Sequence, residues 1–123
     1  MPEQNTVLGK RILLVDDDQG ARAALKLLLS IDRHTVDEAT NGKHALALLS
    51  KKPFDLVIMD FFMPEMQGSQ LAATIKRNAP TLPILMVTAY FEKLVDKENF
   101  VDAIVAKPFG VEDLRQAIAK LLK

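Results

Sequence analysis

The stretch "RILLVDDD" (residues 11–18) places four branched apolar side chains directly before three aspartates. A short run that is almost entirely apolar and ends at charged residues is typical of a strand buried on both faces of a sheet. Adjacent carboxylates repel one another, so the rest of the chain must supply a compensating positive charge. The stretch therefore predicts an interior strand that delivers acidic groups to one edge of a sheet.

The same kind of apolar run recurs along the chain. Three further runs are bounded by turn or charged residues, and they lie at residues 55–59, 83–87 and 102–106. A fifth candidate strand, residues 35–40, is more polar and is expected at an edge of the sheet.

Segments with helical periodicity lie between these strands. They cover residues 19–31, 43–51, 69–77 and, less clearly, 91–100. A last helix places Val111, Leu114, Ile118 and Leu121 on one stripe, with acidic residues in its first turn, where the helix dipole favours anions. Strands interleaved with helices predict an α/β fold, a doubly wound five-stranded parallel sheet with helices on both faces.

Composition narrows the class of protein. The chain has 123 residues, which fits one domain, and its sixteen Lys and Arg balance sixteen Asp and Glu. No broad basic surface for nucleic acid and no membrane-spanning run is expected. The absence of cysteine excludes a disulfide framework, and the start lacks the apolar core of a signal peptide, so a cytoplasmic location is expected. The chain is interpreted either as a free-standing domain or as a fragment of something larger.

Polar residues follow the predicted strands. Asp16, Asp17 and Asp18 follow the first, and Asp60, Thr88 and Lys107 follow the third, fourth and fifth. The carboxyl ends of parallel strands meet at one edge, where ligands of such folds bind. Clustered carboxylates with backbone and water oxygens suit Mg²⁺, and a lysine and a hydroxyl suit a phosphoryl group. A carboxylate in that setting is a plausible nucleophile that forms an aspartyl phosphate.

These residues resemble those of a known family. The acidic pair after the first strand, the lone aspartate of "MDFFMPEMQG", the "TA" and the "KPF" occur in the order seen in the receiver domain of two-component response regulators. The resemblance covers about residues 10–123 and leaves 1–9 as an N-terminal extension. It implies a flavodoxin-like strand order 2-1-3-4-5 with five helices, of which the fourth is short or irregular.

The resemblance also implies a role for each matching residue. Asp60 corresponds to the phosphoacceptor, Asp17 to the direct Mg²⁺ ligand, and Asp16 to the acid that reaches the metal through water. The backbone carbonyl of Phe62 corresponds to a further metal ligand, and Asp60 itself also faces the ion. Asp18 falls one place beyond the acidic pair and is interpreted as a helix N-cap.

Two further positions complete the implied machinery. Thr88 and Lys107 correspond to the residues that bind the phosphoryl group, and the Lys107–Pro108 bond is expected to be cis. Thr88 and Ile104 occupy the switch positions, where Ile104 replaces the usual aromatic residue. The implied partners are a histidine kinase or histidine phosphotransfer protein and a downstream effector or covalently linked output domain. Direct contact with nucleic acid or membrane is not implied, and such a domain is not usually classed as an enzyme.

Departures from the family keep alternatives open. The stretch from Thr88 to Lys107 is roughly three residues shorter than expected, close to one helical turn. The alternatives are a degenerate receiver that acts as a phosphorylation-independent interaction module and the input domain of a larger regulator. A phosphohydrolase with an aspartate nucleophile ranks last, because its second acid would stand where the chain has Phe62. His34 and His44 are expected to be exposed, and Gly68 is expected to shape a turn.

Overall fold

The computed structural model describes residues 6–61, 68–89 and 101–123. In these ranges the apolar runs form strands, and the segments with helical periodicity form helices. In chain order the elements are β1 (Arg11–Val15), α1 (Gln19–Ile31), β2 (Thr35–Ala39), α2 (Gly42–Leu49), β3 (Leu56–Asp60), α3 (Gly68–Asn78), β4 (Ile84–Thr88), β5 (Ala103–Ala106) and α4 (Val111–Leu122). These described ranges hold four helices, and the predicted fourth of five helices, at residues 91–100, lies outside them. None of the described helices is long and apolar enough to cross a membrane.

All five strands form one parallel sheet in the order β2-β1-β3-β4-β5. The predicted sheet and strand order are thus confirmed, and the polar strand β2 lies at an edge as expected. Pairing sets Val15 beside Met59 and Thr88 beside Ala106, so the strands end nearly level. The residues that follow them therefore meet at one edge.

Two hydrophobic clusters lie on opposite faces of the sheet. Leu13 and Val15 of β1 belong to the cluster that also contains buried residues of α2 and α3. Ile12 and Leu14 belong to the other cluster, together with buried residues of α1 and α4. Successive side chains of a strand point to opposite faces, so an apolar run without alternation is what a strand covered on both sides needs.

Side-chain caps set the starts of the first two helices. Asp18 Oδ2 accepts a hydrogen bond from Ala21 N at 2.8 Å, which confirms the predicted N-cap. Asn41 Oδ1 accepts from His44 N at 2.8 Å. Because Asn41 caps it, the second helix begins at Gly42 rather than at the predicted residue 43. It ends at Leu49, two residues before the predicted end at residue 51.

Strands β3 and β4 each end one residue later than predicted. Asp60 still pairs with Val87, and Thr88 with Ala106, so both polar residues are the last members of their strands. The reason is that pairing depends on backbone groups, which a polar side chain leaves unchanged.

His34 is buried, with 7% of its surface exposed, and the expectation that it would be exposed is wrong. Arg33 adopts φ of 65°, which turns the α1–β2 connection, and Lys10 N donates to His34 Nδ1 at 3.0 Å. A tertiary contact between two segments distant in sequence therefore encloses the imidazole. His44 is exposed, as predicted.

Candidate functional site

Three carboxylates converge at the carboxyl edge of the sheet. Asp16 and Asp17 follow β1, and Asp60 ends the neighbouring strand β3. One ligand oxygen from each of the three lies within 4.8 Å of the others. Asp16 is buried, Asp60 is half-buried and Asp17 is exposed, so the cluster opens to solvent on the Asp17 side. The sequence prediction that these acids share one site is consistent with this geometry.

The polar atoms of Asp16 are almost fully engaged. Its N–H donates to Ala39 O at 3.1 Å, and its Oδ1 accepts from Asp18 N at 2.9 Å. Oδ2 is buried and has no hydrogen-bond partner among the described residues. A buried carboxylate oxygen without a partner carries a large desolvation cost, which a cation or its bound water would relieve.

The residues fit a hard divalent cation such as Mg²⁺. The donors are carboxylate oxygens, and opposite oxygen ligands of Mg²⁺ lie about 4.2 Å apart, close to the span of the cluster. The unpartnered Oδ2 of Asp16 provides an independent indication of an ion or water at this place. The predicted carbonyl ligand, that of Phe62, lies outside the described residues.

A lysine borders the cluster, and its backbone is hydrogen-bonded to the threonine that ends β4. Lys107 Nζ lies 3.7 Å from Asp60 Oδ1, and the same carboxylate oxygen accepts from Phe61 N at 2.9 Å. Thr88 is fully buried, and its carbonyl accepts from Lys107 N at 2.9 Å, which ties β5 to the end of β4. The Lys107–Pro108 peptide bond is cis, as expected.

Burial is the main influence on the acids. It raises the pKa of Asp16 above the ordinary value, and the charges of Asp60 and Asp17 raise this pKa further. Burial likewise raises the pKa of Asp60, while the ammonium group of Lys107 opposes the rise. The protein thus partly neutralises the cluster with one lysine, and a bound cation would complete the neutralisation.

Ile104, predicted as a switch position, lies on β5 beside Met86 of β4. It is partly buried and packs against the cluster formed with α2 and α3. An apolar side chain at this place has packing contacts but no polar group to offer a partner.

Arg22 was not singled out from the sequence, and Gly68 was predicted only to shape a turn, whereas it is the first residue of α3. Arg22 of α1 donates from Nη1 to Asp16 O at 2.9 Å. Gly68 begins α3 and donates to Phe61 O at 2.7 Å, and a Cβ at this position would lie 2.7 Å from Asp60 O. A basic residue four places after an N-cap beside the acids, and a glycine eight residues after Asp60, were the available signals.

The comparisons with known proteins identify the class. The sequence profile of the family described as "Response regulator receiver domain" matches residues 12–119, most of the chain. The chain therefore belongs to the receiver domain family of two-component response regulators. These domains are signalling modules rather than classical enzymes.

Particular relatives agree with this assignment. The chain is 33% identical over 116 residues to response regulator MprA of Mycolicibacterium vanbaalenii, which covers 92% of the chain and 50% of that protein. It is 32% identical over 111 residues to transcriptional regulatory protein TcrA of Mycobacterium tuberculosis, covering 88% of the chain and 44% of that protein. The chain thus spans about half the length of the curated relatives it matches.

Solved structures match the fold. The response regulator protein TrrA of Thermotoga maritima, crystallised in complex with Mg²⁺-BeF, superposes with a TM-score of 0.86 at 35% identity, covering 92% of this chain and 99% of that one. The chemotaxis response regulator CheY4 of Vibrio cholerae superposes with a TM-score of 0.83 at 28% identity, covering 94% and 100%.

Proposed function

We propose that this receiver domain accepts a phosphoryl group on Asp60 in a Mg²⁺-dependent reaction and signals by a change of its surface. The observation that carries the proposal is the convergence of three carboxylates within 4.8 Å of one another with Lys107 Nζ 3.7 Å from Asp60 Oδ1. A cluster of acids beside one ammonium group is suited to a metal ion and an incoming phosphate together. The similar TrrA was crystallised with Mg²⁺-BeF, which agrees with that interpretation.

The chemistry assigns a separate task to each residue. A carboxylate oxygen of Asp60 attacks the phosphorus atom, an O–P bond forms, and the bond from phosphorus to the donor imidazole nitrogen breaks. The electron pair of that bond stays with the imidazole. Lys107 would stabilise the equatorial oxygens, and the hydroxyl of Thr88 would bind one of them. Mg²⁺, when bound, would be held by Asp16, Asp17, Asp60 and the carbonyl of Phe62, and it would neutralise charge on the transferring group.

The partners follow from this chemistry. The donor would be a histidine kinase or a histidine phosphotransfer protein in the cytoplasm, and the recipient of the signal a downstream effector or a linked output domain. Leu27 and Ile31 lie one helical turn apart on α1 and are 69% and 57% exposed, an apolar surface that a protein partner could cover. The receiver unit itself would comprise residues 10–123, preceded by an extension at 1–9.

Intact-mass measurement tests phosphorylation directly. The protein is incubated with acetyl phosphate and Mg²⁺, and we expect the mass of one phosphoryl group to be added to the wild type and not to Asp60→Asn. Addition to both proteins would place the phosphate elsewhere. No addition to either, in a protein that binds Mg²⁺, would favour the degenerate receiver, whose function is binding alone. Sustained release of phosphate from a phosphomonoester would indicate a hydrolase instead.

Thermal unfolding tests the metal site separately. A ligand that binds only the folded state raises the melting temperature with its concentration. Mg²⁺ should therefore raise the Tm of the wild type, and the rise should be much smaller for Asp17→Asn. Asp55→Asn is a suitable control, because Asp55 lies at the amino end of β3, where it accepts from Arg11 N, away from the cluster.

A further inference from the structure

Arg22 joins the metal-site turn to the neighbouring edge strand. Its Nη1 donates to Asp16 O at 2.9 Å, and its Nε lies 3.2 Å from Glu38 Oε1 on β2. The side chain is only 13% exposed, so water competes little for these contacts. One guanidinium group therefore fixes the end of β1 relative to the end of β2.

The contact completes the backbone bonding of Asp16. Its N–H already donates to Ala39 O, and Arg22 occupies its carbonyl. With Oδ1 held by Asp18 N, the one polar atom of Asp16 without a partner among the described residues is the buried Oδ2. The orientation of Oδ2 thus depends on the backbone of Asp16, whose N–H and carbonyl are both held by hydrogen bonds.

Glu38 anchors the arginine from the other side. Its two oxygens accept from different cations, Oε1 from Arg22 Nε and Oε2 from Lys26 Nζ, the latter at 3.2 Å. Hydrogen bonds from Lys26 and then from Arg22 hold the pKa of Glu38 below its ordinary value. Lys26 is half exposed and forms an ion pair with Glu38. It therefore shares its charge and its partner Glu38 with Arg22, but it does not donate to Asp16 O as Arg22 does.

We infer that Arg22 is a positioning residue for Mg²⁺: by bridging Asp16 O and Glu38 it fixes the turn that presents the Asp16 and Asp17 carboxylates to the ion. The inference rests on the proposed function, since it concerns the same metal site. Residues that orient metal ligands without touching the metal typically change metal affinity by 10–100-fold when they are replaced. Arg22 acts through the backbone of a ligand, so the lower end of that range applies.

Isothermal titration of the full chain with MgCl₂ provides the test. We expect Arg22→Met, which keeps the length of the stem and removes the donors, to weaken Mg²⁺ binding by about tenfold. Arg22→Lys, whose single ammonium cannot bridge both acceptors, should fall between Arg22→Met and the wild type. Lys26→Met, the matched control, should bind Mg²⁺ within about twofold of the wild type, because it removes the other cation on Glu38 and leaves Asp16 O occupied.

A kinetic measurement separates positioning from a general structural role. With acetyl phosphate as donor, Arg22→Met should need about tenfold more Mg²⁺ for half-maximal phosphorylation while reaching a similar rate at saturation. A lower Tm with unchanged Mg²⁺ affinity would overturn the inference. Should Arg22→Met fail to fold, Glu38→Gln provides a second test, because it loosens the same bridge. Glu38→Gln should weaken Mg²⁺ binding more than Lys26→Met does, and equal Mg²⁺ affinities of these two variants would refute the inference. Failure of the wild type itself to bind Mg²⁺ would instead refute the proposed metal site.

Discussion

Replacing Gly68 by alanine should destabilise the protein, although alanine is the better helix former. An ideal Cβ at Gly68 would lie 2.7 Å from Asp60 O, 3.0 Å from Phe61 Cα and 3.1 Å from Met86 Cε. The first two are backbone atoms, so relief requires the end of β3 to move rather than one flexible side chain. Forcing a methyl group into a packed interior costs about 1–3 kcal/mol. The gain in helix propensity is at most about 1 kcal/mol, so a net loss of about 1–2 kcal/mol is expected.

Gly20→Ala is the matched control. Gly20 also lies in the first turn of a helix, but a Cβ there would be 3.5 Å from Asp18 Oδ2, an ordinary van der Waals contact. Alanine should therefore stabilise α1 by about 0.5–1 kcal/mol. Urea unfolding followed by circular dichroism measures both variants, and their free energies of unfolding should change in opposite directions.

The same substitution should reach the site. An alanine Cβ at position 68 would press on the carbonyl of Asp60, the proposed phosphoacceptor. Displacement of Asp60 should therefore slow phosphorylation by acetyl phosphate in Gly68→Ala and not in Gly20→Ala. If Gly68→Ala and Gly20→Ala change the free energy of unfolding in the same direction and by similar amounts, the close approach to Asp60 is not the reason for glycine at position 68.

Three further predictions follow from single contacts. Burial lowers the pKa of His34 in the folded protein, so the imidazole binds more protons in the unfolded chain at acidic pH. The free energy of unfolding should therefore lose nothing to this group above about pH 6.5 and should decrease as the pH falls below that value. His34→Leu, which also removes the acceptor for Lys10 N, should flatten this pH dependence of the unfolding free energy, and an unchanged slope would contradict it. Asp18→Ala should lower the unfolding free energy by about 1 kcal/mol through loss of the cap, with Asp18→Asn nearly neutral, both measured in urea. Lys107→Met should slow phosphorylation of Asp60 by about a hundredfold in the intact-mass assay, and a rate near the wild type would remove Lys107 from the mechanism.

The sheet could be predicted because its strands are buried on both faces. Such strands have apolar runs without alternation, and β1 and β3 show that pattern over nearly their whole length. The polar β2 was assigned to an edge for the converse reason. The bounds of α1 were predicted correctly, whereas those of α2 were not, because its start depends on the side-chain cap of Asn41, which the periodicity does not report.

The sequence predicted those residues of the site whose positions follow from the parallel arrangement of the strands. Asp16, Asp17, Asp60 and Lys107 belong at one edge because parallel topology brings strand ends together, and the geometry agrees. The prediction did not extend to Arg22, because an arginine on a helix surface has the same sequence signature whether it faces solvent or a carbonyl. The burial of His34 arises from contact with Lys10, which is 24 residues away in the chain.

The division of β1 between two cores has a consequence for how this protein can change over time. Ile12 and Leu14 serve one face of the sheet, while Leu13 and Val15 serve the other. Gaining or losing a single residue inside the strand would make the two faces exchange their side chains, and both layers would have to be rebuilt together. Helices and connections can therefore diverge among descendants. The number of residues from Ile12 to the first aspartate cannot change, because both faces of the strand pack in a hydrophobic core.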